Sequence, residues 1–125
     1  MKLLLDTHIL LWVMQDAPQL GRAARRLLAD AEEIHVSSVC LWEAAIKCAL
    51  GKLKVDLDAL DEHLAQVGFT PLPVTWAHTR RLRQLPALHR DPFDRMLVAQ
   101  ALSEPLHLLT GDAALASYSE LVIAV

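Results

Sequence analysis

KLLLDTHILLW, residues 2–12, joins two patterns at a single carboxylate. Leu3, Leu4 and Leu5 form an unbroken apolar run, the signature of a short strand buried on both faces, as in a parallel sheet. Asp6 ends the run, and THILLWVM (7–14) then reads as a helix. Outward from this stretch the chain keeps alternating. A helix is predicted over 20–31 with Leu27 and Leu28 inside, then a strand IHVSS (34–38). A helix VCLWEAAIKCAL (39–50) follows, capped by Ser37 or Ser38 and stopped by Gly51. Next come a helix over 58–67 and a proline-interrupted strand FTPLPV (69–74), which belongs at a sheet edge. Helices over 76–85 and 92–102, a strand LHLLT (106–110), a short helix over 112–118 and a strand LVIAV (121–125) complete the pattern. This predicts one α/β domain over 1–125, with a mainly parallel central sheet and helices on both faces. Ligands of such folds sit beyond the carboxyl ends of the strands, where Asp6 and Asp112 fall.

With 125 residues, 54% of them hydrophobic, the chain is long enough to bury about two-thirds of its unfolded surface. Six prolines and four glycines leave no long linker, and no repeat is visible. No small-residue cleavage site follows the first leucines, so no secretory signal is expected. No apolar run reaches membrane-spanning length, so no membrane partner is expected. Cys40 and Cys48 are eight residues apart on one predicted helix, about 12 Å along its axis and too far to bridge. They read as buried, reduced thiols, and a cytoplasmic location follows. The net charge of −3 gives no global nucleic-acid signal. Locally, Arg80, Arg81, Arg83, Arg90 and Arg95 crowd a segment with only Asp91 and Asp94 as acids. That is either a solvated helix face or a basic edge suited to a phosphate-bearing ligand.

HRDPFDRM, residues 89–96, poses the chemical question. Asp91 before Pro92 is a helix cap. Asp94 shares a helical stripe with Leu97, Val98 and Ala101, where a charge is costly without compensation. Glu43 likewise lies on a stripe with Val39, Cys40, Ile46 and Leu50, although Lys47 follows at the favourable spacing for an ion pair. Singly, each acid has a structural reading: caps for Asp6 and Asp112, an ion pair for Glu43, a capping-turn partner for Asp94. Together, carboxylates brought to apolar stripes and strand ends would repel one another unless a cation held them. Oxygen ligands alone suit a hard ion, Mg²⁺ or Mn²⁺, which binds phosphate and activates water. Thr7 and Thr110 adjoin Asp6 and Asp112 and could orient a carboxylate; His8 and His89 could touch substrate or simply pack. Trp12, Trp42 and Trp76 fall in apolar helical patterns and are expected in the core. No Gly-rich phosphate loop or Gly-x-Ser-x-Gly turn is present.

Four segments in this order, LLLDTHILLW, SSVCLWEAAIK, HRDPFDRMLVAQA and LLTGDAAL, resemble the PIN-domain nucleases, and in particular the VapC-type toxins of bacterial toxin–antitoxin pairs. The resemblance spans essentially the whole chain. It implies a metal-dependent endoribonuclease that hydrolyses RNA phosphodiesters, partnered by a small antitoxin and forming a homodimer. It further implies that Asp6, Glu43, Asp94 and Asp112 are the acidic site residues: Asp6, Asp94 and Asp112 as metal ligands, Glu43 as a ligand or an activator of water. Two other classes share parts of the pattern. A phosphatase or phosphotransferase of the haloacid-dehalogenase type needs an acid two residues after the first aspartate, where this chain has His8. A receiver-like module needs a late lysine, and the last lysine here is Lys54. A non-catalytic binding module of the same fold would use its carboxylates only as caps.

Overall fold

The computed structural model describes all 125 residues. Five parallel strands, β1 (Lys2–Leu5), β2 (Glu33–Ser37), β3 (Thr70–Leu72), β4 (His107–Thr110) and β5 (Val122–Ala124), form one sheet in the order β3-β2-β1-β4-β5. Between them run α1 (Thr7–Gln15), α2 (Arg22–Asp30), α3 (Ser38–Ala49), α4 (Leu57–Gln66), α5 (Trp76–Arg83), α6 (Pro92–Ser103) and a 3₁₀ helix over Ala113–Tyr118. The α/β alternation read from the sequence is therefore observed, and the sheet is wholly parallel. The proline-bearing strand β3 sits at an edge, as expected of a segment that cannot complete a ladder on both sides. It is also shorter than 69–74, because the chain leaves the sheet before Pro73.

Successive side chains of a strand point to opposite faces. In β1, Leu3, Leu4 and Leu5 are all fully buried, and so are Leu108 and Leu109 of β4. Both faces of the sheet's centre are thus covered, which is why these strands read as continuous rather than alternating apolar runs. Leu4 is an interior residue of the central strand, flanked by His35 of β2 and Leu108 of β4. Leu4→Ala leaves a cavity at the centre of the sheet and is expected to cost about 2–5 kcal/mol, read as a lower urea midpoint with unchanged m-value.

Local chemistry sets the element ends. Asp6, Ser37, Asp56, Thr75 and Asp91 each accept a hydrogen bond from a first-turn N–H of the helix that follows. Gly51, in the left-handed region at φ 73°, follows the end of α3 as the sequence suggested. No helix is long and apolar enough to cross a membrane.

Three expectations of burial need correction. Trp42 and Trp76 are 61% and 85% exposed, so neither is a core residue. Apolar residues occur all round α3, and its pattern therefore does not distinguish the inner face (Cys40, Ala44) from the outer (Trp42, Ile46). Cys48 is only partly buried, whereas Cys40 is enclosed and its thiol, pushed up to about 12 by burial, donates to the Leu5 carbonyl at 3.4 Å.

From β1 the chain crosses to β2 and β3 on one side, then returns to place β4 and β5 on the other. The order reverses between β1 and β4, which is the crevice where open parallel sheets bind ligands. Asp6 and Thr110 end those two strands, and the Asp6 N–H extends the ladder to the Leu109 carbonyl at 3.0 Å.

Candidate metal centre

At this crevice an open cleft of about 330 Å³ is lined by Asp6, His8, Trp12, Asp94, Gly111 and Asp112. Asp6 is buried, and both of its oxygens accept hydrogen bonds. Its Oδ1 accepts from the Ile9 N–H at 2.8 Å, capping α1, while Oδ2 accepts from the Thr110 hydroxyl at 2.5 Å and the Gly111 N–H at 3.3 Å. Burial still outweighs these bonds and raises its pKa. The Thr110 hydroxyl also accepts from the Asp112 N–H at 3.0 Å, so one threonine links both strand-end aspartates.

Glu43, on α3, is also buried. Thr7 donates to its Oε1 at 2.7 Å, and Lys47 lies 3.0 Å from its Oε2. Of the two readings of Glu43, the ion pair with Lys47 is observed; its carboxylate lies buried against Thr7, the residue after Asp6, and is not among the groups that line the cleft. The two threonine hydroxyls do orient carboxylates, though crosswise to the sequence: Thr7 holds Glu43 rather than its neighbour Asp6.

Asp94 differs from both. Asp91 is the N-cap of α6, accepting from the Phe93 and Asp94 N–H groups at 2.8 and 3.2 Å. A capping box would have Asp94 accept from the Asp91 N–H in return. That N–H instead donates to His89 Nδ1 at 3.1 Å, so Asp94 has no capping duty. Its carboxylate accepts no hydrogen bond within the chain; the nearest donor, His89 Nε2, is 4.0 Å away. Burial, then the charges of Asp91, Asp6 and Glu43, push its pKa up to about 7. Leu97, Val98 and Ala101 are buried as predicted, so the helix drives this acid toward the cleft.

His89 completes the arrangement. With Nδ1 accepting from a backbone N–H, the ring proton sits on Nε2, which donates to Asp112 Oδ2 at 2.9 Å. Asp112 also caps the 3₁₀ helix through Ala114, and these two bonds lower its pKa, the Ala114 bond more strongly. The nearest ligand atoms of His89, Asp94 and Asp112 lie within 4.8 Å of one another. The Nε2 proton makes His89 a donor that positions Asp112, while the oxygens remain for a cation.

Two further residues shape the cleft and were not singled out for it in the sequence. Trp12 is one turn beyond His8 on α1, and their rings lie 6.2 Å apart. A Cβ at Gly111 would come within 3.2–3.3 Å of the Trp12 ring, so only glycine lets strand end and indole approach this closely. The i, i+4 spacing of His8 and Trp12 was the available signal.

The domain model described as PIN domain matches residues 3–121 of this chain. The chain belongs to the PIN-domain family. The ribonuclease VapC22 of Mycobacterium tuberculosis is 28% identical over 122 residues, covering 92% of this PIN domain and 90% of its own length. Among solved structures, a chain of VapBC2 from Rickettsia felis, bound to a DNA fragment from its promoter, superposes with a TM-score of 0.71. It is 19% identical and covers 100% of this chain and 98% of its own. A toxin–antitoxin complex from Klebsiella pneumoniae gives 0.65 at 20% identity, covering 97% and 95%. At these identities the structural likeness speaks for the fold alone.

Proposed function

We propose that this PIN domain is the toxin of a toxin–antitoxin pair, an Mg²⁺- or Mn²⁺-dependent endoribonuclease acting in the cytoplasm. Its partners are then RNA, a small antitoxin and, as a homodimer, a second copy. The observation that carries the reading is Asp94: a half-buried carboxylate without a donor, among three other acids, has no compensation within the chain. A divalent cation supplies that compensation, and its preference for oxygen ligands matches the donors present. Similarity to a ribonuclease at 28% identity supports the choice of RNA, and solved neighbours that are toxin–antitoxin complexes support the partner.

Asp6, Asp94 and Asp112 would hold the ion. When bound, it offsets the repulsion between these acids and a phosphodiester and acidifies a water for attack on phosphorus. Glu43, held by Thr7 and Lys47, would serve as a further acidic ligand or as the base that accepts a proton at a carboxylate oxygen. His89 keeps Asp112 turned into the cleft. Trp12 and Gly111 form one wall of the cleft.

Incubation with total cellular RNA tests the reading. Discrete cleavage products are expected with Mn²⁺ or Mg²⁺, none in EDTA, and full recovery when metal is restored. Cleavage that persists in EDTA would refute metal dependence. Intact RNA at millimolar metal, with no Mn²⁺ binding by calorimetry, would leave the carboxylates as structural groups. A small reading frame directly beside this gene would support the antitoxin.

A further inference from the structure

α5 meets the rest of the protein through one side only. His78 is 1% exposed; its Nδ1 accepts from the Thr75 N–H at 3.0 Å and its Nε2 lies 2.6 Å from Glu104 Oε2 beyond the end of α6. Leu82, four residues on, is partly buried on the same side. At 100° per residue, the opposite side carries Trp76, Arg80 and Arg83 within an arc of about 60°. All three are exposed, and neither arginine, nor Arg81 or Arg90 nearby, takes part in any ion pair. The helix dipole favours cations in the last turn of α5, but it gives no reason for an indole 85% exposed at the first turn.

An exposed aromatic face with unpaired guanidinium groups at helical spacing is the chemistry of a single-stranded nucleic-acid platform. The ring offers a stacking surface and the arginines neutralise phosphates. The chain carries a net charge of −3, so this face is a local cation source on an acidic protein. Its placement suits a strand that continues to the cleft, because α5 packs against α6, whose first turn carries Asp94.

We propose that Trp76, Arg80 and Arg83 on the outward side of α5 bind the RNA strand outside the acidic cleft, the arginines on phosphates and the indole against a base. This rests on the ribonuclease reading and adds to it where the substrate lies. These residues position RNA; they take no part in bond cleavage.

The test is the binding of a fluorescein-labelled single-stranded RNA of mixed sequence, followed by anisotropy in EDTA over a range of KCl concentrations. Arg80→Ala/Arg83→Ala is expected to lower the slope of log K against log salt by roughly 1.4, at about 0.7 for each phosphate no longer neutralised. Arg80→Lys/Arg83→Lys should keep the slope. Trp76→Ala should weaken binding about tenfold at every salt concentration, with Trp76→Phe retaining most of the affinity. An unchanged slope in the arginine pair, or no RNA binding by the natural protein at low salt, overturns the proposal. So does RNA binding that ignores the substitutions while binding of a polyglutamate peptide is lost, which would assign the face to an acidic protein. Mn²⁺ titration of the same variants should match the natural protein. If metal binding and EDTA-sensitive cleavage persist while the α5 variants bind RNA normally, this proposal fails and the nuclease reading stands.

Discussion

Asp94→Asn is expected to make the metal-free protein more stable and to weaken its hold on Mn²⁺ by more than about a hundredfold. The two effects share one cause. Asp94 carries a charge that nothing in the chain compensates, and its pKa is raised from 3.8 to about 7. A raised acid keeps its proton in the folded state after the unfolded chain has lost it. Below about pH 4 both states are protonated and the group costs nothing. From there to about pH 7 stability falls as pH rises, and above pH 7 the full cost remains. The group is partly solvated, so the gain from asparagine is set at about 1–2 kcal/mol at pH 8 after discounting for screening, and at nothing near pH 3. Urea unfolding at the two pH values, in EDTA, measures it. The loss of metal is expected to be large because removing even an outer partner of a ligand costs about ten- to a hundredfold. In the natural protein the ion must displace the Asp94 proton, so Mn²⁺ affinity should fall about tenfold per pH unit below pH 7 and level off above. Equal stability of variant and natural protein at pH 8 would show that Asp94 is already satisfied.

Asp6→Asn should lose the metal as completely, with the opposite effect on stability, because burial raises this pKa less than that of Asp94 and the hydrogen bond broken outweighs the relief of charge. Both oxygens of Asp6 accept hydrogen bonds, Oδ1 from Ile9 and Oδ2 from Thr110 and Gly111, which leaves a lone pair of Oδ1 for a cation. An amide must turn its NH₂ toward one of these donors, and the backbone N–H of Ile9 or Gly111 cannot reverse its role. An unsatisfied buried donor costs about 1–3 kcal/mol, and that loss should appear in urea unfolding without metal. Two isosteric substitutions in one cleft would thus abolish the same function while moving stability in opposite directions. A common stability change would mean that the two carboxylates are not held differently, against the hydrogen bonds described.

Much of this site was legible in the sequence because it depends on spacing. Leu97, Val98 and Ala101 at three, four and seven residues from Asp94 carried enough information to aim that acid inward, and the buried runs of β1 and β4 announced a parallel sheet. Strand order was not legible: apolar periodicity reports that a segment is a strand, not which strand lies beside it. The neighbourhood of Asp6 and Thr110 follows only from β4 pairing with β1. The His89 arrangement was hidden for another reason. It turns on one backbone N–H, that of Asp91, bonding a ring nitrogen instead of a carboxylate, and side-chain patterns carry no record of that choice. Trp42 and Trp76, expected in the core, are exposed, since an exposed indole and a buried one leave the same mark in a helical pattern.

The hydrogen bond between Thr110 and Asp6 closes a loop of 104 residues, and it has a consequence for the order of synthesis. The aspartate that opens the cleft leaves the ribosome 104 residues ahead of the threonine that completes it. Until β4 emerges, Asp6 lacks the Thr110 hydroxyl, and β1 lacks its partner on one side. A nascent chain therefore carries all of α3 and its glutamate for about 3–12 s, at about 5–20 residues per second, before β4 is complete. A cleft built this way stays incomplete until β4 has followed β1 and paired with it, so the acidic site is assembled late relative to the aspartate that begins it.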